Sequence, residues 1–218
     1  MTRTLSPWEG LHIKNVDTLV RDIYRLLESK EIEEGISLEE ECEAFALRMA
    51  DVLRGAFDTY KGTGKLRLSG IGKPDRKVYN GYHGVSGEEI RGATFIKFLY
   101  GHLVEEMLLS LVRLSGHTVT DEQKEVTVGG VTGHMDGKID GILMDVKSCS
   151  SFGFKKFSKS LLHEDDPFGY IAQIKAYAKA EDATTYGWLA MDKQNGTLAW
   201  LQYDETHTGA HYYDAINW

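Results

Sequence analysis

The chain has only two cysteines, Cys42 and Cys149, in 218 residues. That is too few for a disulfide framework, a four-cysteine zinc site or a cysteine-held iron–sulfur cluster. It has three prolines, no internal repeat and no low-complexity segment, so nothing marks an interdomain linker. No apolar run approaches the roughly 20 residues of a membrane span. The opening "MTRTLSPWEG" also lacks the apolar core of a secretory signal. A soluble cytoplasmic protein with no membrane partner is expected. Basic charge is scarce too: 25 Lys and Arg against 33 Asp and Glu leave a net charge of -8. Taken alone, that balance argues against a nucleic-acid partner.

What is present changes that reading. With 42% hydrophobic residues the chain can bury one sizeable core. A single domain over 1–218 is expected, with a helical N-terminal extension over 1–60 and the core over 61–218. The charge is unevenly spread. Glu31, Glu33, Glu34, Glu39, Glu40, Glu41 and Glu43 crowd one stretch, where solvated helix faces are the simplest account. Lys61, Lys65, Arg67, Lys73, Arg76 and Lys77 crowd the next, against Asp75 alone. Further on, Lys155, Lys156 and Lys159 interleave with Phe152, Phe154 and Phe157. Cations neutralise phosphates and rings stack on bases, so this run suits a nucleic-acid groove; a solvated loop with a few buried rings suits it equally.

Hydrophobic spacing predicts helices through "NVDTLVRDIYRLL" and "SLEEECEAFALRMADVL", the second opened by a Ser37/Glu40 capping box. One long helix is expected from the Ser86/Glu89 capping pair to Gly116, with Gly92 and Gly101 as the places open to an interruption. From about Asp121 the pattern turns to strands, "EVTVGGVTGHMDGKI" and "ILMDVKSC". Asp166 and Pro167 open a helix through "FGYIAQIKAYAKA", and a last hairpin bends around Asn195-Gly196.

Asp140-Gly141 is a two-residue hairpin signal, because both residues tolerate the positive φ of the tight turn. Taking it as the loop pairs Ile139 with Ile142, Lys138 with Leu143, Gly137 with Met144 and Asp136 with Asp145. Opposed side chains share a face about 5 Å apart, and alternation puts Lys147 on that face as well. Opposed carboxylates repel unless something positive lies between them. A hard divalent cation, Mg²⁺ or Mn²⁺, is the natural candidate. The rival is a register one residue out, with one aspartate on a solvated edge. Calcium sensing is excluded: Asp136, Asp140 and Gly141 match an EF-hand loop, but Lys138 and Lys147 stand where acidic ligands are required.

"GHMDG" followed by "MDVKS" resembles the active-site hairpin of the PD-(D/E)XK nuclease superfamily, in particular its RecB-like and phage (lambda-type) exonuclease branch. The resemblance runs in the family's order from about Leu66 to Tyr177 and leaves the first 60 residues unmatched. It implies that Asp136 and Asp145 are the acidic pair and Lys147 the active-site lysine. It implies further that Glu105, four residues after Gly101, is the helical carboxylate, and that Gln173 and Tyr177 of "QIKAY" complete the catalytic set. Ser69 and Arg76 match the serine-and-arginine segment of phage members. No cysteine precedes Arg76, and with only two cysteines an iron–sulfur cluster is excluded.

Helical spacing supports Glu105 over Glu106. Phe98, Gly101, Leu109 and Val112 surround Glu105 on an apolar face, whereas Glu106 lies among polar neighbours. Gln173 and Tyr177 share a helix face and could hydrogen-bond a phosphate or a water. His134 reads as structural, and Cys149 has no base partner that would make it a nucleophile.

The resemblance thus implies a restriction-endonuclease-like α/β core, a central mixed sheet flanked by helices. In it Glu105, Asp136, Asp145 and the carbonyl of Val146 would hold one or two Mg²⁺ or Mn²⁺ ions. DNA would be the partner, guided by Ser69, Arg76, Lys155, Lys156 and Lys159. A phage-type exonuclease of DNA recombination, repair or degradation is the expected activity, with a recombination or single-strand-binding protein and self-association as further candidate partnerships. The rivals are a structure- or site-specific endonuclease and, from another class, a non-catalytic module that binds DNA ends.

Overall fold

A computed structural model describes residues 14–57, 64–85 and 91–205. Lys61, the Ser86/Glu89 capping pair and the segment "MTRTLSPWEG" lie outside the described residues. Strands β1 Val119–Thr120, β4 Gly137–Ile139, β5 Ile142–Cys149, β6 Thr185–Asp192 and β7 Leu198–Asp204 form one sheet in the order β1-β4-β5-β6-β7. β5 and β6 are parallel and every other pairing is antiparallel. A parallel pair needs a crossover, and here it carries helices α5 Ser151–Ser158 and α6 Tyr170–Ala180.

Period-two alternation sends β5 to two cores. Leu143 packs with Tyr186 and Trp188 of β6 under Phe154 and Phe157 of α5 and Ile174 and Tyr177 of α6. Met144 and Val146 face the other way, against Leu108, Leu109 and Val112 of α4 (Gly92–Leu114) and Leu19 and Ile23 of α1 (Leu19–Ser29). The result is the expected mixed α/β architecture, a central sheet with helices on both faces. α1, expected as part of an appended extension, is one wall of this core.

α2 (Leu38–Gly55) starts as expected, with the Ser37 hydroxyl accepting from the Glu40 N–H at 3.2 Å. It has no buried residue and meets α4 through charges: Arg48 reaches Glu106 at 2.9 Å and Ser110 Oγ at 2.9 Å. Glu41 pairs with Arg48 and Arg113, so this member of the acidic run is spent in a helix seam and is not a solvated charge.

α4 begins at Gly92, one of the two places open to an interruption in the long helix, and runs unbroken through Gly101; a Cβ there would lie 3.9 Å from Ser148 Oγ on β5. Two expectations need correction. "EVTVGGVTGHMDGKI" is broken into β2 (Glu125–Val128), β3 (Val131–His134) and β4, because Gly129 and Gly130 both take positive φ and fold β2 and β3 into a separate ribbon. α6 starts at Tyr170, later than Pro167. Asp166 still caps it, its carboxylate accepting from the N–H groups of Tyr170 at 2.9 Å and Ile171 at 2.8 Å.

Candidate active site

The Asp140-Gly141 bend has φ of 48° and 82°, and the pairs Ile139–Ile142, Lys138–Leu143 and Gly137–Met144 follow from it. One further step would set Asp136 across from Asp145, but β4 has ended by then. The Asp136 carboxylate turns inward and accepts from the Val146 N–H at 2.7 Å, replacing a ladder carbonyl with a side chain. In extended chain the N–H and C=O of a residue point to the same edge, so the Val146 carbonyl opens toward Asp136 too.

The charge at this edge is poorly compensated. Asp145 is 2% exposed; its Oδ2 is ion-paired with Lys147 Nζ yet makes no well-formed hydrogen bond. Burial pushes the Asp136 carboxyl well above the usual range, and repulsion from Asp145 and Glu105 adds to it. Burial also raises Asp145, with Lys147 opposing. For Lys147 burial favours the neutral amine, but Asp145 and Asp136 prevail and hold the ammonium above its ordinary value.

Glu105 comes to the same place from α4 and repels both aspartates. It accepts from Gln123 Nε2 at 2.9 Å and lies 3.8 Å from His102 Nδ1, whose pKa it raises. Glu106 instead belongs to Arg48. The face around Glu105 is apolar and buried at Leu109 and Val112, but Phe98 is 54% exposed.

Gln173 and Tyr177 do share a face of α6: Gln173 Nε2 donates to the Tyr177 hydroxyl at 3.2 Å. Tyr177 is 2% exposed and feels the charges of Asp145, Asp136 and Lys147, so it lies under the site and steadies Gln173. Its ring needs Gly133, where a Cβ would stand 3.1 Å from Tyr177 and 2.7 Å from Leu68. Leu68 in turn anchors the 3-10 turn Leu68–Gly70 that carries exposed Ser69, and Arg76 is exposed on α3 (Asp75–Tyr82).

The basic, aromatic run is helix α5, which divides it. Lys155 and Lys159 are exposed, whereas Lys156 is 9% exposed and pairs with Asp165 at 2.6 Å. Phe154 and Phe157 are core; Phe152 alone of the three rings is exposed. Helical spacing turns Lys156, Phe154 and Phe157 inward, so Lys155, Lys159 and Phe152 are the members of this run that face solvent.

Sequence reasoning missed three neighbours. Tyr170 lies with its ring 5.2 Å from Lys147 Nζ; its spacing of three from Gln173 and seven from Tyr177 was the signal. Lys73 is half-buried, and its pKa is lowered by burial and by the nearby charges of Lys77 and Lys147. Nothing in the basic run singled it out. Gln123, the partner of Glu105, sits in a loop that no pattern marks. Cys149 is buried and its thiol is pushed up to about 11 by that burial, so it stays protonated at neutral pH. His134 is exposed, 3.7 Å from Glu125.

No family profile and no curated protein matches the sequence. Among solved structures, the alkaline exonuclease LHK-Exo from Laribacter hongkongensis is similar at 17% identity and a TM-score of 0.45, over 75% of this chain and 83% of that one. LHK-Exo in complex with dAMP gives 16% and 0.46, over 66% and 78%. The protein SSO0001 gives 15% and 0.44, over 73% and 77%. The reading of the site rests on its own geometry.

That geometry fits a hard divalent cation. Among the described residues no group of three or more His, Cys, Asp or Glu is gathered closely enough to hold a metal ion alone, which is unlike a zinc cage. Mg²⁺ asks for less, commonly one or two carboxylates with water and phosphate completing the shell. Asp136 and Asp145 are two such carboxylates, one anchored by the Val146 N–H and the other paired with the Lys147 ammonium, and Asp136 feels the repulsion of Asp145 and Glu105 that a cation would relieve.

Proposed function

We propose that the protein is a Mg²⁺- or Mn²⁺-dependent deoxyribonuclease that hydrolyses phosphodiester bonds, working as an exonuclease on linear DNA. The observation that carries this reading is the convergence of Asp136, whose carboxylate accepts from the Val146 N–H at 2.7 Å, with the buried Asp145, whose carboxylate is paired with the Lys147 ammonium. A divalent cation held by Asp136, Asp145 and the Val146 carbonyl, with Glu105 alongside, would supply charge neutralisation for a phosphate and a more acidic water.

The chain's own groups do the remainder. Lys147, whose ammonium Asp145 and Asp136 hold above its ordinary value in the metal-free protein, would donate to phosphate oxygens and to the charge that builds on them. The Val146 N–H fixes one oxygen of Asp136, and Gln123 fixes Glu105. Gln173, held by Tyr177, offers an amide to the strand or to the attacking water. Ser69, Arg76, Lys155 and Lys159 would guide the DNA backbone. The exonuclease mode draws on the resemblance of the hairpin and its flanking motifs to the phage branch.

The test is digestion of end-labelled linear DNA and of covalently closed circles, with Mg²⁺, with Mn²⁺ and with chelator. Nucleotide release from linear DNA with intact circles is the expected outcome. Cut circles would make the protein an endonuclease, and no metal-dependent release from either substrate would reduce it to a DNA-binding module.

A further inference from the structure

Beside the candidate site, a groove of about 530 Å³ runs between α3, the residues around the 3-10 turn and Val131 of β3. The volume falls in the range of small-molecule sites, roughly 300–1,000 Å³. Its lining is mostly apolar, and it presents two aromatic rings that the core does not use: Tyr79 is 60% exposed and Tyr82 47%. The two tyrosines flank His83, whose ring centroid lies 4.2 Å from that of Tyr79 and 5.1 Å from that of Tyr82.

The charge on this groove runs against that of the chain. The protein carries a net charge of -8, yet Arg67 and Lys73 line the groove and Lys77 stands on the same helix as the rings, with Asp75 the acid among the lining residues. Rings flanked by cations are what a nucleic-acid strand with uncovered bases requires. In a duplex those base faces are already stacked, so the groove suits unpaired bases.

The groove borders the catalytic edge. Gly72 lies so close to Gly169 that a Cβ on it would stand 2.6 Å from the Gly169 Cα. Gly169 immediately precedes Tyr170, whose ring is 5.2 Å from Lys147 Nζ. Lys73, next to Gly72, therefore borders both the groove and the site.

We propose that this groove is a stacking site for the unpaired bases of single-stranded DNA, with Tyr79 and Tyr82 as the stacking faces and Arg67 and Lys73 holding the flanking phosphates. The inference deepens the nuclease reading and rests on it for its substrate: a strand whose backbone lies at Asp136 and Asp145 has its adjacent bases received here.

The test separates binding from cleavage. Fluorescence anisotropy is measured in chelator on the full chain carrying Asp145→Asn, with a labelled oligothymidylate, the same oligomer with abasic positions, and a blunt duplex. Adding Tyr79→Ala and Tyr82→Ala together is expected to weaken binding of the intact oligomer by about tenfold or more. Binding of the abasic oligomer and the duplex should be unchanged, and Phe at both positions should restore the intact oligomer. Equal affinity of the alanine variant and its parent for the intact oligomer overturns the proposal, as does an equal loss on all three ligands. Circular dichroism of the variant checks that the exposed substitutions leave the fold intact. Cleavage by the unmodified chain is followed separately. Stacking contrast without metal-dependent cleavage retires the nuclease reading and supports the groove, whereas cleavage without the contrast retires the groove alone.

Discussion

Asp136 and Asp140 stand on one β-ribbon, and their surroundings drive their carboxyls in opposite directions. At Asp140 burial alone would raise the pKa, but His117 Nδ1 at 2.7 Å and the Thr118 N–H at 3.0 Å outweigh it and bring it below the usual range. The Thr118 hydroxyl, 3.2 Å away, adds a third contact. His117 is buried, with Nε2 3.3 Å from Asp22 on α1, so the bend is tied to the helix that walls the second core. Asp136 has the Val146 N–H and the charge of Lys147 in its favour, against two carboxylates and the cost of burial. Donor count and neighbouring charge separate the two aspartates, since depth alone would raise both. A carboxylate with its acceptors filled holds structure; one left short of donors is suited to receive a ligand.

The sharpest way to break this comparison is to neutralise each acid in turn. Asp145→Asn and Lys147→Ala should each lower DNA cleavage by on the order of 10³-fold with the circular dichroism spectrum kept. Asp140→Asn should retain most cleavage per folded molecule. Retained cleavage in both site variants would remove the catalytic assignment, and a loss in Asp140→Asn as large as theirs would erase the distinction between the two acids.

Stability should separate them as well. The raised carboxyls of Asp136 and Asp145 favour the folded state below the ordinary carboxylate pKa, and that contribution disappears as pH rises through their folded values. Once pH has passed those folded values the metal-free protein carries their repulsion, and Asp136→Asn should there raise its melting temperature by a few degrees. Mg²⁺ or Mn²⁺ at about a hundredfold excess over Kd should raise the parent's melting temperature by roughly 5–10 °C. That increment should shrink as pH falls, because protons compete for the same oxygens, and Asp136→Asn should lose it. Differential scanning calorimetry between pH 5 and 8, with and without the ion, measures both effects; an unshifted parent would count against a cation at this edge.

The hairpin was readable in the sequence because Asp-Gly fixes the turn and period two then fixes every partner, down to Gly137 against Met144. The orientation of Glu105 was readable from helical spacing, as was the shared face of Gln173 and Tyr177. What was hidden depends on contacts between distant segments. Nothing local tells that His117 will bridge Asp22 and Asp140, or that Gln123 will hold Glu105. The packing of Lys156 was hidden because a run of alternating Lys and Phe gives no sign of its helical phase until Asp165 is seen beside it. The broken strand at Gly129-Gly130 is different, since that turn signal was present and passed over.

On the structural side of the comparison, Asp140→Asn should cost about 1–3 kcal/mol through the charge-assisted contacts it loses. Its pH dependence has the opposite sign from that of Asp136. The depressed carboxyls of Asp22 and Asp140 stabilise the fold above the ordinary carboxylate pKa and lose that contribution as pH falls through their folded values. Thermal unfolding between pH 3 and 7 should therefore show a steeper acid limb for the parent than for Asp140→Asn. Parallel limbs would mean that Asp140 is not a stabilising tie.

The smallest expected effect extends the same contrast to cations. Lys155 and Lys159 are exposed, whereas Lys156 is engaged with Asp165 and lies 5.9 Å from the Phe152 ring. If the exposed pair meets phosphates, each alanine substitution should flatten the log–log salt dependence of duplex binding by about 0.9. Lys156→Ala should leave that slope alone and cost about 1–2 kcal/mol of stability, through the lost packing of its buried stem as well as the pair with Asp165. Binding isotherms at four salt concentrations distinguish the two kinds of lysine. A slope that changes with Lys156 and not with Lys155 would mean that the pair with Asp165 opens on DNA, and the division of α5 into a packed lysine and two free ones would have to be reversed.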